Sequence, residues 1–198
     1  MSGHAGHRAR DGLRLPAYLT LPAHVQPQDL PLVLMPHGGP WARDWWRFDS
    51  IVQLWANRGY AVLQPQFRGS AGFGRRHMEA GVGEFAGRMH EDLLDAFDWA
   101  VDQGFADPAR VGVFGGSYGG YLAAMIIGSD SRFAGAIVER GYLVPQSFIG
   151  TSDIGRYFSE GYTGTDPEQI DRQSPLTRVG SVDTPTLVMH SELDFRCP

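Results

Sequence analysis

The run Gly115-Gly116-Ser117-Tyr118-Gly119 sets a serine between two glycines, each two residues away. A serine hydroxyl is a weak nucleophile until a base takes its proton, and the oxyanion formed on attack needs preorganised donors. In a G-x-S-x-G elbow the serine sits on a strained strand-to-helix turn that lifts Oγ above the sheet edge. Strand and helix approach so closely there that side chains at 115 and 119 would collide, and Gly116 and Gly120 add clearance. The helix N-terminus beneath favours developing negative charge. In a chain with 26 glycines the motif can arise by chance, so its surroundings decide. The apolar run Val111 to Phe114 precedes it and a helical pattern follows, as an elbow requires and a plain glycine-rich turn does not. Ser117 is therefore the candidate nucleophile of an acyl-transfer reaction.

One oxyanion donor would be the backbone N–H of Tyr118, directly after the nucleophile. A second belongs on the loop after an earlier strand, where His37-Gly38-Gly39-Pro40 follows the run Leu32 to Met35. His37 could be read as the base, but it lies on the oxyanion side, where loop support is its expected job. The acid belongs after a later strand, and Thr186 to Met189 leads into His190-Ser191-Glu192-Leu193-Asp194. Asp194 could orient an imidazole there, with Glu192 as competitor; on its residue type alone, an aspartate at a strand end is an ordinary turn residue.

These residues need a scaffold. Apolar runs at 32–35, 61–63, 111–114, 134–138 and 186–189 read as buried strands, and Leu15 to Leu21, which contains Pro16, reads as an edge strand. Helical spacing over 49–58, 88–103 and from Ser117 to Gly128 alternates with them. Strands separated by helices imply an α/β fold with a mostly parallel sheet and helices on both faces, and the order Ser then Asp matches the α/β-hydrolase arrangement. Residues 1–10 read as a flexible tail and 11–198 as one hydrolase domain. The polar and aromatic stretch 139–183 is too long for a plain connection, and such loops tend to carry function.

Composition narrows the class. A net charge of −5 argues against nucleic-acid binding, which needs a clustered basic surface. No apolar stretch is long enough to span a membrane, and the first residues lack the apolar core of a secretory signal. The single Cys197 forms no internal disulfide and fits a reducing, cytoplasmic setting; it shows no sign of a nucleophile or metal ligand. No cofactor and no metal are called for.

The segments PHGGPWARD, NRGYAVLQPQFRGSAGFG, GGSYGGY, GTSDIG, SPL and HSELDFRCP occur in this order. In this arrangement the chain resembles the catalytic domain of the prolyl oligopeptidase family, and within it the acylaminoacyl-peptidases. The resemblance covers residues from about Asp11 onward. It implies Ser117 as nucleophile, Asp194 as triad acid, and donors from Tyr118 and the Gly38-Gly39 pair, with Gly39 preferred. It also implies an aromatic pocket from Phe148, Tyr157, Phe158 and Tyr162, for each of which core packing is the alternative. The chain departs from the family pattern in two ways: it has no room for an N-terminal β-propeller, and none of its seven histidines stands past the acid. The expectation is a hydrolase domain lacking its last strand and helix, with an uncovered strand edge that makes it oligomeric or prone to aggregate. The expected activity is a serine peptidase that cleaves short or N-acylated peptides through an acyl-enzyme. A carboxylesterase and a domain without turnover are the alternatives.

Overall fold

Neighbouring parallel strands cannot be joined by a tight turn, so a chain alternating apolar runs with amphipathic segments builds its sheet through helical crossovers. The computed structural model describes residues 2–198, without the side chains of Ser2, Ser159 and Glu160. Its strands are β1 (Ser2–Arg8), β2 (Arg14–Thr20), β3 (Leu30–Leu34), β4 (Ala61–Pro65), β5 (Ala106–Gly116), β6 (Gly135–Glu139) and β7 (Thr186–Met189). They form one sheet in the order β1-β2-β4-β3-β5-β6-β7. From β4 through β3, β5 and β6 to β7 the pairs are parallel; β1–β2 and β2–β4 are antiparallel. Helix α1 (Ser50–Asn57) connects β3 to β4, α2 (Arg75–Glu79) and α3 (Arg88–Asp102) connect β4 to β5, and α4 (Tyr118–Ile127) connects β5 to β6. The arrangement is that of an α/β-hydrolase, and Ser117 follows the carboxyl end of a central strand. Among the described residues no helix is long and apolar enough to cross a membrane.

The two faces of the sheet are covered unequally. Met89, Leu93, Phe97 and Ala100 recur along one side of α3 and pack with Leu122, Met125 and Ile126 of α4 in the main core. On the opposite face α1 starts at an Asp49 cap, whose carboxylate accepts from the N–H groups of Ile51 and Val52. Only Val52 and Ala56 of α1 are buried; Ile51 and Leu54 stay exposed. Beside α1 an apolar trough of about 780 Å³ runs across the sheet past Val33, Trp55, Ile137 and Leu187.

Two expectations at the sheet edges are corrected. Of the expected tail at 1–10, residues 2–8 form β1 in full register with β2, and Met1 lies outside the described residues. Ala5, His7 and Ala9 alternate inward, a period-2 signal hidden by small and polar residue types. For the same reason β2 is not an edge strand. Pro16 is tolerated because its carbonyl points toward Gln66 beyond the last β2–β4 pair, Ala17 with Pro65, so its missing N–H falls where that ladder has ended. The stretch 139–183 is no open loop either. It folds into α5 (Pro145–Thr151), α6 (Gly155–Tyr162), α7 (Pro167–Arg172) and a 3₁₀ segment, Pro175–Ser181.

Candidate active site

Strand β5 ends in a turn where Ser117 adopts φ 57° and ψ −123°, a conformation that non-glycine residues enter only at a cost. The surrounding bonds hold it there. The Ser117 N–H donates to the Glu139 carbonyl of β6 at 3.0 Å, and the Ser117 carbonyl accepts from the Tyr121 N–H at 3.0 Å. The glycine spacing has the steric cause expected of it. A Cβ on Gly115 would stand 2.1 Å from the Gly119 oxygen, and one on Gly119 would stand 2.2 Å from the Pro36 oxygen. Any side chain at either position would push α4 off the sheet.

The loop after β3 lies against this turn. A Cβ on Gly38 would come within 3.4 Å of Ser117 Cβ and 3.9 Å of its Oγ. Gly39, Ser117 and Tyr118 line one cavity of about 200 Å³. Neither the Gly39 N–H nor the Tyr118 N–H is taken by a chain carbonyl among the described residues. Two free donors beside a serine hydroxyl at a helix N-terminus form a setting able to receive an oxyanion.

The turn after β7 comes to the same place. Asp194 accepts from the backbone N–H of Cys197 at 2.9 Å and from that of Arg196 at 3.0 Å. These two bonds, the Cys197 one foremost, hold its carboxyl below the usual carboxylate range. The turn is tied to the start of α6: Ser152 Oγ donates to the Arg196 carbonyl, the Asp153 N–H donates to the Phe195 carbonyl, and Arg196 pairs with Asp153 at 2.7 Å. Glu192, the competing acid, is exposed. The imidazole nearest Asp194 is His190, with Nε2 3.9 Å from Oδ2 and bonded to the Cys197 carbonyl. Ser117 Oγ itself meets Cys197 Sγ at 3.7 Å. No imidazole bonds Ser117 among the described residues, and burial pushes the Cys197 thiol up.

Of the four aromatic residues named from the sequence, two border the cavity. Phe148 and Phe158 line the cavity. Tyr157 does not: on α6 Phe158 and Tyr162 share a face four residues apart, and Tyr157 points away at 83% exposure. Tyr162 is buried behind the wall, its ring 4.5 Å from Phe158, 5.6 Å from Phe85 and 4.2 Å from Trp41. The residues not foreseen are Phe85, Tyr142, Ile154, Arg196 and Cys197, all of which reach the cavity. Phe85 sits between α2 and α3 in a run with no pattern of its own. Only its rings' neighbours, Tyr118 at 4.4 Å and Tyr121 at 4.8 Å, explain its place.

Known proteins share this architecture. The model of the prolyl oligopeptidase family matches residues 46–198. The chain is 39% identical over 205 residues to dipeptidyl aminopeptidase BIII of Pseudoxanthomonas mexicana, covering 95% of this chain and 30% of that protein. It is 43% identical over 221 residues to dipeptidyl peptidase family member 6 of Caenorhabditis elegans, covering 96% of this chain and 30% of that one. Among solved structures it is similar to the acylaminoacyl peptidase of Pyrococcus horikoshii, with a TM-score of 0.92 and 28% identity, over 100% of this chain and 32% of that one. The chain thus spans about 30% of the length of the curated relatives it matches.

Proposed function

The chain belongs to the prolyl oligopeptidase family of serine peptidases, and from that premise we propose that it hydrolyses short or N-acylated peptides through an acyl-enzyme on Ser117. The observation that carries the reading is the shared cavity: a strained serine, two unengaged backbone N–H groups and an apolar wall meet in one space. In the proposed reaction Ser117 Oγ attacks the scissile carbonyl while its proton passes to an imidazole. The carbonyl oxygen, now negative, accepts from the N–H groups of Tyr118 and Gly39. The imidazole then gives the proton to the leaving amine, and water enters by the same route in reverse. Phe85, Phe148 and Phe158 would hold the apolar side chain of the residue being acylated.

Asp194 would orient that imidazole and stabilise its charged form. Its carboxylate is suited to this, since two backbone donors fix one oxygen and leave the other turned toward His190. Among the described residues no imidazole bonds Ser117, and the proposed base is the histidine that the family resemblance places after the acid. The test is hydrolysis of an acyl-amino-acid nitroanilide by the 198-residue chain and by a longer reading frame that includes such a histidine, with Ser117→Ala as blank. The shorter chain is expected to keep only the part supplied by binding and oxyanion donors, roughly 10³ to 10⁴ over water, and Asp194→Asn should change it little. In the longer form Asp194→Asn should be severe. Full Ser117-dependent turnover by residues 1–198 would show that another group serves as base.

A further inference from the structure

We propose that the cleft outside the β1–β2 hairpin, where Arg8, Arg14 and Arg76 meet, is a binding site for the carboxylates of an acidic peptide.

The cleft has a volume of about 540 Å³, and those three arginines line it together with Leu13, Pro16 and Phe73. No carboxylate lines it among the described residues, and it shares no residue with the cavity at Ser117. Strands β1 and β2 pair with Arg8 directly opposite Arg14, and both side chains are exposed. Residues opposite each other in an antiparallel pair project to one face, where like charges are destabilising. Arg76 of α2 brings a third cation to the same space.

Around the cleft, paired arginines are the rule. Arg10 meets Asp95 at 2.8 Å, Arg68 meets Asp92 at 2.7 Å, and even Arg75 reaches Glu79 at 4.0 Å. Asp11, on the other side of the hairpin turn, is engaged by Arg68 at 2.9 Å and Arg88 at 3.3 Å. Among the described residues the side chains of Arg14 and Arg76 have no ion pair, and Arg8 donates to the Gly12 carbonyl at 3.3 Å. Three cations are thus held together without the acid that each neighbour has, at a cost to the fold that a bound anion would offset.

The lining says which anion. Each guanidinium can take a carboxylate through two parallel N–H bonds. Leu13, Pro16 and Phe73 offer apolar ground beside them, and the Phe73 ring is packed 5.4 Å from His77 and 6.0 Å from the Arg43 guanidinium. The chain carries a net charge of −5, so a long polyanion or an anionic bilayer is repelled by the rest of its surface. A short peptide with a few carboxylates and an apolar side chain meets only the local field. Arg14 opens β2 beyond the Ala17–Pro65 pair, at the carboxyl end of β4. A peptide bound there lies on the sheet edge that carries Ser117.

Fluorescence anisotropy on the Ser117→Ala chain measures the binding. The probe is a short peptide of glutamates around one phenylalanine, carrying an uncharged dye, with a glutamine counterpart as control. The acidic peptide should bind and the glutamine one should not, and the affinity should fall as salt rises from about 0.05 to 0.5 M. Arg14→Gln and Arg76→Gln should each weaken binding about tenfold, the loss of a hydrogen bond to a charged group. Their urea midpoints should be unchanged or raised, because each substitution relieves repulsion. Absent binding, or equal binding of the two peptides or by the variants, overturns the proposal. A midpoint that falls together with binding overturns it too, since the arginine would then be structural. So does displacement of the peptide by an equal concentration of inorganic phosphate, or tighter binding of a DNA oligonucleotide or an anionic vesicle. None of these readouts needs turnover, and labelling of Ser117 by a fluorophosphonate tests the peptidase reading separately.

Discussion

His90 is a residue whose chemistry is set chiefly by burial, with Arg178 and Arg10 acting in the same direction. It meets Ser129 Oγ at 3.0 Å, and desolvation holds its pKa down to about 4. An unfolded chain would protonate this histidine below about 6.5, so between that pH and 4 the unfolded state binds a proton that the folded state refuses. Its contribution to stability is complete above pH 6.5 and is lost as pH falls through the window. His37 acts with the same sign. Asp44, half-buried beside Gln66 and pushed up to about 6 by desolvation, acts oppositely from pH 6 downward, because the folded state then holds the extra proton. With His7 and His77, which burial also holds below the usual imidazole range, the histidines outweigh Asp44 and leave a net loss of stability on acidification. His90→Gln should flatten the slope of unfolding free energy between pH 6.5 and 4 by up to about 1.4 kcal/mol per pH unit. Urea titrations across that range measure it, and equal slopes in both proteins would contradict the assignment.

Helix α6 shows what a single element contributes. Its eight residues place Phe158 and Tyr162 on the inner face and Tyr157 on the outer one, so neighbours in sequence differ in role. Phe158→Ala should raise KM for substrates with a bulky apolar acylated residue, by about tenfold if one ring contact of 1–2 kcal/mol is lost. Tyr157→Ala should leave KM within twofold. Steady-state kinetics on a series of acyl-amino-acid nitroanilides, in whichever form turns over in a Ser117-dependent way, separates the two, and an equal effect of both changes would remove α6 from the substrate wall.

At the scale of the whole 198-residue chain, β7 is the last strand of the described sheet, and all four of its residues are exposed. Leu187 faces the bare apolar trough and is 53% exposed, and Val188 on the other face is 56% exposed. An open strand edge beside an uncovered apolar face is a template for pairing with a further chain. The 198-residue chain is therefore expected to self-associate in sedimentation velocity at micromolar concentration. Leu187→Lys, which places a charge at the junction of edge and trough, should shift it toward monomer. A monodisperse wild-type monomer would count against this.

The elbow around Ser117 was legible in the sequence because everything that shapes it is local: an apolar strand, a forbidden pair of side chains at 115 and 119, and a helix start. The parallel alternation was legible for the same reason, through periodicity within each segment. Strand β1 escaped notice because its inward residues, Ala5, His7 and Ala9, are weakly apolar, and only the waiting edge of β2 makes them a strand. Phe85, Tyr142 and Cys197 carry no local signal for the cavity. The same holds for the contact of Ser70 with His37, which spans 33 residues. These contacts join positions that approach only when separate crossovers stack on one sheet, and the sequence along any one of them holds no trace of the other.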